Sequence, residues 1–247
     1  MGTACPTNGA IVSLRPTNGA IRGRVTADGK GLSNVTVSDG LQCVSTDATG
    51  AFTLSRREGA RFIAVSPPCG YQMKNWYRSV GVESGGVGRY DFALERATTG
   101  KAKCGCRFVH ITDSEISDTG AENRKWIDDV RRIAVAEKCA FIVHTGDICY
   151  LKGMQAHAEL MTTETMGLPM LYCLGNHDLV AGDYGEKAFE ELFGPCRYSF
   201  NAGGIHFVVV PTNTLPEETT GVQKRIGADS LRSHAAPARI VGHVRDG

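Results

Sequence analysis

Apolar and polar residues alternate in short runs over the first hundred positions: Ile21, Gly23 and Val25; Val35 and Val37; Phe52 and Leu54; Phe62, Ala64 and Val65; Tyr90, Phe92 and Leu94. A period of two sends successive side chains to opposite faces of a strand, so each run predicts a half-buried strand. Between the runs stand Asp28-Gly29, Asp39-Gly40, Thr49-Gly50 and Gly85-Gly86. Glycine there supplies the positive φ that tight hairpins need. Four or more strands at this spacing predict a small all-β sandwich over residues 20–96.

Beyond residue 96 the pattern changes. Residues 97–103 are small and polar and read as a linker. Short apolar runs at 108–111, 141–143, 170–174 and 206–210 then predict strands. Helical spacing at 121–139 places Trp126, Val130, Ile133 and Ala134 on one face, and 156–166 and 186–193 also read as helices. Strands alternating with helices predict an α/β domain of β-α-β units over 104–247. Its last part, 212–247, has no convincing period and is expected to be poorly ordered and outside any sheet. Residues 1–19 read as a flexible lead-in, in which the hexapeptide Pro6–Ile11 recurs at Pro16–Ile21.

Composition narrows the function classes. The 247 residues are 42% hydrophobic and 21% charged, with a net charge of +1. A nucleic-acid partner is not expected, because phosphate-backbone binding rests on clustered Lys and Arg. No stretch approaches the roughly 18 apolar residues that span a bilayer. The opening residues have no apolar core of a secretory signal. Nine scattered cysteines (Cys5, Cys43, Cys69, Cys104, Cys106, Cys139, Cys149, Cys173 and Cys196) form no disulfide-scaffold pattern and read as unpaired or buried thiols.

The polar chemistry sits directly after three of the strands: Asp113-Ser114-Glu115, then Gly146-Asp147, then Gly175-Asn176-His177-Asp178. In open α/β sheets, ligands gather outside the carboxyl ends of strands. Carboxylate, amide and imidazole donors converging there fit a hard divalent or trivalent cation. Gly146-Asp147 followed about 30 residues on by Gly175-Asn176-His177-Asp178 resembles the calcineurin-like metallophosphoesterases. Gly31–Val37 and Thr46–Leu54 resemble the carboxypeptidase-regulatory-like sandwich, a module that precedes the catalytic domain in a group of bacterial members.

The resemblance implies metal-dependent hydrolysis of a small phosphorylated substrate, a phosphomonoester first and a phosphodiester second. It implies two metal ions, with Mn, Fe and Zn all fitting the donors. Carried over position by position, Asp113 binds the first metal, Asp147 bridges both and Asn176 binds the second. His177 touches the phosphoryl oxygens or protonates the leaving group, oriented by Asp178. Glu115 stands where the family usually has a histidine ligand, and a carboxylate there makes the site harder and more negative. Gly146-Asp147-Ile148-Cys149-Tyr150 matches the Gly-Asp-x-x-Tyr form of purple acid phosphatases, which makes Tyr150 a candidate ligand.

The family ends its site with a lone His and a Gly-His-x-His. The one late echo is Gly242-His243-Val244-Arg245, so His243 is a candidate ligand with Arg245 where a second histidine is expected. The catalytic layer is therefore expected to lack its second half. That predicts an exposed sheet edge with poor solubility or dimerisation. It also leaves open an inactive or weakly active relic serving as an attachment module. Family context implies a periplasmic or secreted location. Among the remaining histidines, His206 reads as structural, His110 as core or support, His144 as core or ligand support, and His157 and His234 as solvated surface. Asp118 reads as polar loop, and Asp128-Asp129 as solvent-facing.

Overall fold

The computed structural model describes residues 16–81, 87–97, 105–180, 186–211 and 239–241. The N-terminal region is all-β. Its strands are β1 (Pro16–Ala27), β2 (Lys30–Gly31), β3 (Thr36–Ser38), β4 (Cys43–Ser45), β5 (Ala51–Arg57), β6 (Phe62–Ser66), β7 (Tyr77–Ser79), β8 (Val87–Arg89) and β9 (Phe92–Ala93). One sheet runs β2-β1-β5, with β8 and β9 pairing in parallel with β1; the other runs β4-β3-β6-β7. The alternation holds where one face is covered: Ile21, Val25, Val35, Val37, Phe52, Leu54, Phe92 and Leu94 are all buried. In β6 it fails, because Ile63, Ala64 and Val65 are buried in succession while Phe62 is half-exposed. Asp28 and Gly29 both have positive φ (51° and 74°), so the β1–β2 turn is the glycine hairpin that the sequence predicts. The Gly85-Gly86 turn lies outside the described residues.

The second region contains two sheets. Strands β10 (Val109–Ile111), β11 (Ile142–His144) and β12 (Met170–Tyr172) form a parallel sheet with Ile111, His144 and Tyr172 in register. Helices α1 (Ala121–Ala136), α2 (Tyr150–Leu160) and α3 (Thr163–Met166) make the connections, and α4 (Lys187–Phe193) follows β12. A hairpin of β13 (Tyr198–Ala202) and β14 (Ile205–Val209) is extended by β15 (Arg239–Val241), parallel to β14. This is an α/β arrangement of β-α-β units preceded by an all-β region, as the sequence predicts. Among the described residues, no helix is long and apolar enough to cross a membrane.

Several expectations need correction. Residues 239–241, expected outside any sheet, pair with β14, because an existing strand edge offers hydrogen bonds that no local pattern encodes. Strand β13 went unread because Tyr198, Ser199 and Phe200 are all buried and show no alternation. Helix α2 begins at Tyr150, six residues earlier than its pattern predicts. It carries Gly153, where a Cβ would lie 2.4 Å from the Ile148 carbonyl oxygen. The buried stripe of α1 is Ile127 and Ala134 with Val130 packed beside them; Trp126 and Ile133 are exposed, at 36% and 59%. The rest of the predicted tail, residues 98–103 of the predicted 97–103 linker and residues 1–15 of the predicted lead-in lie outside the described residues.

The two regions share one core. Ile63, Val65 and Trp76 pack in the same cluster as Tyr198, Phe200 and Phe207. Polar ties cross the same junction: the Ser66 and Ser199 hydroxyls meet at 2.5 Å, the Asn201 amide donates to the Pro67 carbonyl at 3.1 Å, and Arg61 binds Glu190 through two hydrogen bonds.

Candidate metal centre

Parallel pairing of β10, β11 and β12 brings the loops that follow them to one edge. Backbone bonds lock the loops together: Thr145 N–H donates to the Ile111 carbonyl at 2.8 Å, Asp113 N–H to Gly146 at 3.2 Å, and Cys173 N–H to His144 at 2.8 Å. The chain turns tightly here. Asp113, Glu115, Asp147, Cys149 and Tyr150 all have φ between 45° and 86°. The left-handed region disfavours every residue with a Cβ, most of all a bulky one such as Tyr150. Such backbone strain persists only where surrounding structure enforces it, and it gathers at functional sites.

Two glycines make the approach possible. A Cβ on Gly146 would lie 2.4 Å from Gly175 N, and one on Gly175 would lie 2.1 Å from Asp147 N and 2.3 Å from Asp147 Oδ1. Their shared role is thus close packing of two loops, and Gly146, at φ 103°, also turns the chain. Gly175→Ala should destabilise the fold by about 2 kcal/mol through overpacking. Urea denaturation measures this, and an unchanged midpoint would show that the loops can part freely.

Each candidate side chain has a definite place. One oxygen of Asp147 accepts His177 N–H at 3.1 Å, tying the second loop to the third. Asp113 accepts a short hydrogen bond from the Thr112 hydroxyl. The Asp178 carboxylate is fully buried and accepts from Ile148 N–H and Gly175 N–H, both at 2.8 Å. It therefore braces the loop backbones instead of touching the His177 ring. Burial raises its pKa, and the two backbone donors pull the other way. Glu115 approaches the His177 ring, with Oε1 4.0 Å from Nδ1. The Tyr150 ring lies parallel to the imidazole with centroids 5.5 Å apart. His243 lies outside the described residues.

Among the described residues, no three His, Cys, Asp or Glu side chains converge closely enough to hold a metal ion. The donors that reach this edge are carboxylates (Asp113, Glu115, Asp147) and the Asn176 amide. They suit a hard oxygen-loving cation in kind. Seven described cysteines are free, and burial pushes the Cys173 thiol up to about 12 and raises that of Cys149, so neither is thiolate-like.

Under this edge lies a cluster that the sequence did not fully disclose. His144 and His157, both 0% exposed, each approach Ser114 Oγ at 2.8 Å through Nε2. Tyr172 Oη lies 3.5 Å from His157 Nδ1 and donates to the Met161 carbonyl at 2.8 Å. Burial lowers the pKa of His144 to about 3 and of His157 to about 4. His157 is thus no surface residue. Its position three after Met154 and four before Met161, both buried, was the available signal. His110 is exposed and shares a 2.8 Å hydrogen bond with the Thr145 hydroxyl, while His206 is buried against Asn201 Oδ1 in a structural role. Asp118 accepts Gly120 N–H at the start of α1, and Asp128 and Asp129 pair with Arg131 and Arg132 on its surface.

A family model described as calcineurin-like phosphoesterase matches residues 107–241, more than half of the chain. A second, described as the N terminal of calcineurin-like phosphoesterase, matches residues 19–97. No curated protein matches.

Proposed function

From the premise that this chain belongs to the calcineurin-like phosphoesterases, whose chemistry is metal-dependent hydrolysis of phosphate esters, we propose that the edge formed by residues 113–115, 147–150 and 175–178 is its catalytic centre. The supporting observation is the tie from His177 N–H to Asp147 Oδ1, which fixes the carboxylate best placed to bridge two ions beside the histidine best placed to meet substrate. Asp113 and Asn176 would hold one ion each, Asp147 would bridge them, and Glu115 would stand in place of the usual histidine ligand. The ions, when bound, supply a nucleophilic hydroxide and neutralise phosphoryl charge.

The remaining work falls to the chain. The His177 ring, half-exposed at 40%, faces outward to reach a phosphoryl or leaving-group oxygen. Tyr150 restricts its tilt by stacking, and the Glu115 carboxylate, 4.0 Å from Nδ1, adds negative charge beside the ring. Asp178 maintains the loops through their backbone N–H groups. The reading is a phosphomonoesterase, with a diesterase second. It divides the chain into a β-sandwich module (20–96), a linker (97–103) and a catalytic domain (104–247).

Asp147→Asn keeps the hydrogen bond to His177 but removes a charge. Metal affinity and turnover of a generic aryl phosphate should fall by more than roughly a hundredfold, the upper range for losing only an outer partner of a ligand. Metal analysis after gel filtration, run beside the hydrolysis assay, checks both. If neither changes, the centre is misplaced. A wild-type protein that takes up no metal and hydrolyses no ester would leave the reading of an inactive attachment module.

A further inference from the structure

We infer that Ser114 is a positioning residue for the proposed centre, held by a one-way hydrogen-bond chain through two buried neutral histidines. The inference rests on the assignment of Asp113 and Glu115 to that centre and adds to it what sets their place.

Donor counting fixes the direction. Gly146 N–H donates to His144 Nδ1 at 3.3 Å, so that nitrogen carries no proton. A neutral imidazole has one N–H, and which nitrogen holds it follows from the bond the other makes. His144 Nε2–H therefore donates to Ser114 Oγ at 2.8 Å. The single hydroxyl proton of Ser114 is then free for His157 Nε2, also at 2.8 Å. His157 must carry its proton on Nδ1, directed at Tyr172 Oη, and Tyr172 passes its own proton to the Met161 carbonyl at 2.8 Å. Every N–H and O–H in the chain has one acceptor. No member can reverse without leaving two donors or two acceptors facing each other in a buried space, which costs about 1–3 kcal/mol per unpaired group.

The chain adds a polar tie to four elements that already pack together: the loop after β10 through Ser114, β11 through His144, α2 through His157 and β12 through Tyr172. Ser114 sits between Asp113 and Glu115, both in the left-handed region at φ 51° and 45°. That conformation is disfavoured and requires an external restraint. The two histidines clamp the residue between them. The same helix α2 begins at Tyr150, whose ring lies on His177, so the clamp also registers the histidine's aromatic partner.

The test uses the full metal-free chain labelled with 15N in histidine. Imidazole nitrogen shifts should report the Nε2–H tautomer for His144 and the Nδ1–H tautomer for His157; the opposite pair would overturn the chain's direction. Mn2+ titration followed by electron paramagnetic resonance then reads positioning. Ser114→Ala should weaken Mn2+ binding roughly ten- to a hundredfold while far-ultraviolet circular dichroism keeps its shape. His157→Gln retains an acceptor for the Ser114 hydroxyl and should bind Mn2+ within about threefold of wild type, whereas His157→Leu should resemble Ser114→Ala. Unchanged affinity in Ser114→Ala, or equal loss in the Gln and Leu variants, would refute the positioning role. A wild-type protein with the assigned tautomers but no Mn2+ binding would instead refute the metal centre, and the positioning role with it.

Discussion

Lowering the pH from 8 to 5 should cost the metal-free folded protein about 4 kcal/mol, because His144 and His157 stay neutral in the native state and take up protons on unfolding. The sign follows from the shifts. Native pKa values of about 3 and about 4 lie below the ordinary histidine value of 6.5. Between them the unfolded chain binds more protons than the folded one, so stability rises with pH across the window and levels off above 6.5. At pH 5 each histidine gives up roughly 2 kcal/mol, at about 1.4 kcal/mol per pH unit. Burial is the leading cause for both; for His144 the neighbouring His157 and His110 add to it. Asp39 and Asp178 act with the opposite sign, since burial raises their pKa and the folded state then binds protons more readily than the unfolded one. Their window opens at the ordinary carboxylate value of 3.8 and runs upward, so they soften the loss at its acid end. Urea denaturation at a series of pH values gives the slope, and His157→Gln should reduce it by about one proton. An identical slope in that variant would show that His157 binds protons equally in the folded and unfolded states.

Arg61→Ala should destabilise the protein by roughly 3–5 kcal/mol, the usual loss when one partner of a buried ion pair is removed. Arg61 Nε and an Nη donate to the two oxygens of Glu190 at 2.6 and 2.7 Å, a side-on bidentate geometry. The Glu190 side chain is only 4% exposed and that of Arg61 24%. Truncating Arg61 leaves the carboxylate in the junction with its main counter-charge gone. The partial exposure of Arg61 places the expected value toward the lower end. A double variant, Arg61→Met with Glu190→Leu, should recover most of the loss, because an apolar pair removes the desolvation penalty on both sides. Equilibrium unfolding of the three proteins checks the prediction. If the double variant is as unstable as Arg61→Ala, the deficit is lost packing and the ion pair is incidental. Since Arg61 precedes β6 and Glu190 lies on α4, the experiment also measures how firmly the all-β region is fastened to the α/β region.

Much of the proposed site can be read in the sequence because its chemistry is local. Asp113, Asp147, Asn176 and His177 each follow a strand directly, and parallel pairing of neighbouring strands must bring their ends to one edge. The packing of Gly146 and Gly175 against one another was not readable, because it depends on how close two loops come in space. Asp178 is expected from the resemblance to orient His177; its carboxylate accepts one N–H from its own turn, at Gly175, and one from the loop before it, at Ile148, a choice set by where Ile148 stands in space. His157 was misread for a related reason. Its helix starts earlier than its pattern predicts, and that start is fixed by the tight loop from Gly146 to Tyr150.

The sequence by itself determined the order of elements, the period-two core of the N-terminal sandwich and the donors presented at three strand ends. These follow from periodicity and turn chemistry, which act over a few residues. Tertiary structure alone decided which face of α1 is buried, that residues 239–241 join β14, that Arg61 meets Glu190 across 129 positions, and that Ser114 is held between two histidines 30 and 43 residues away. Such contacts depend on burial, which turns a polar side chain into one that must find a partner, and burial is a property of the packed chain, not of its neighbours in sequence.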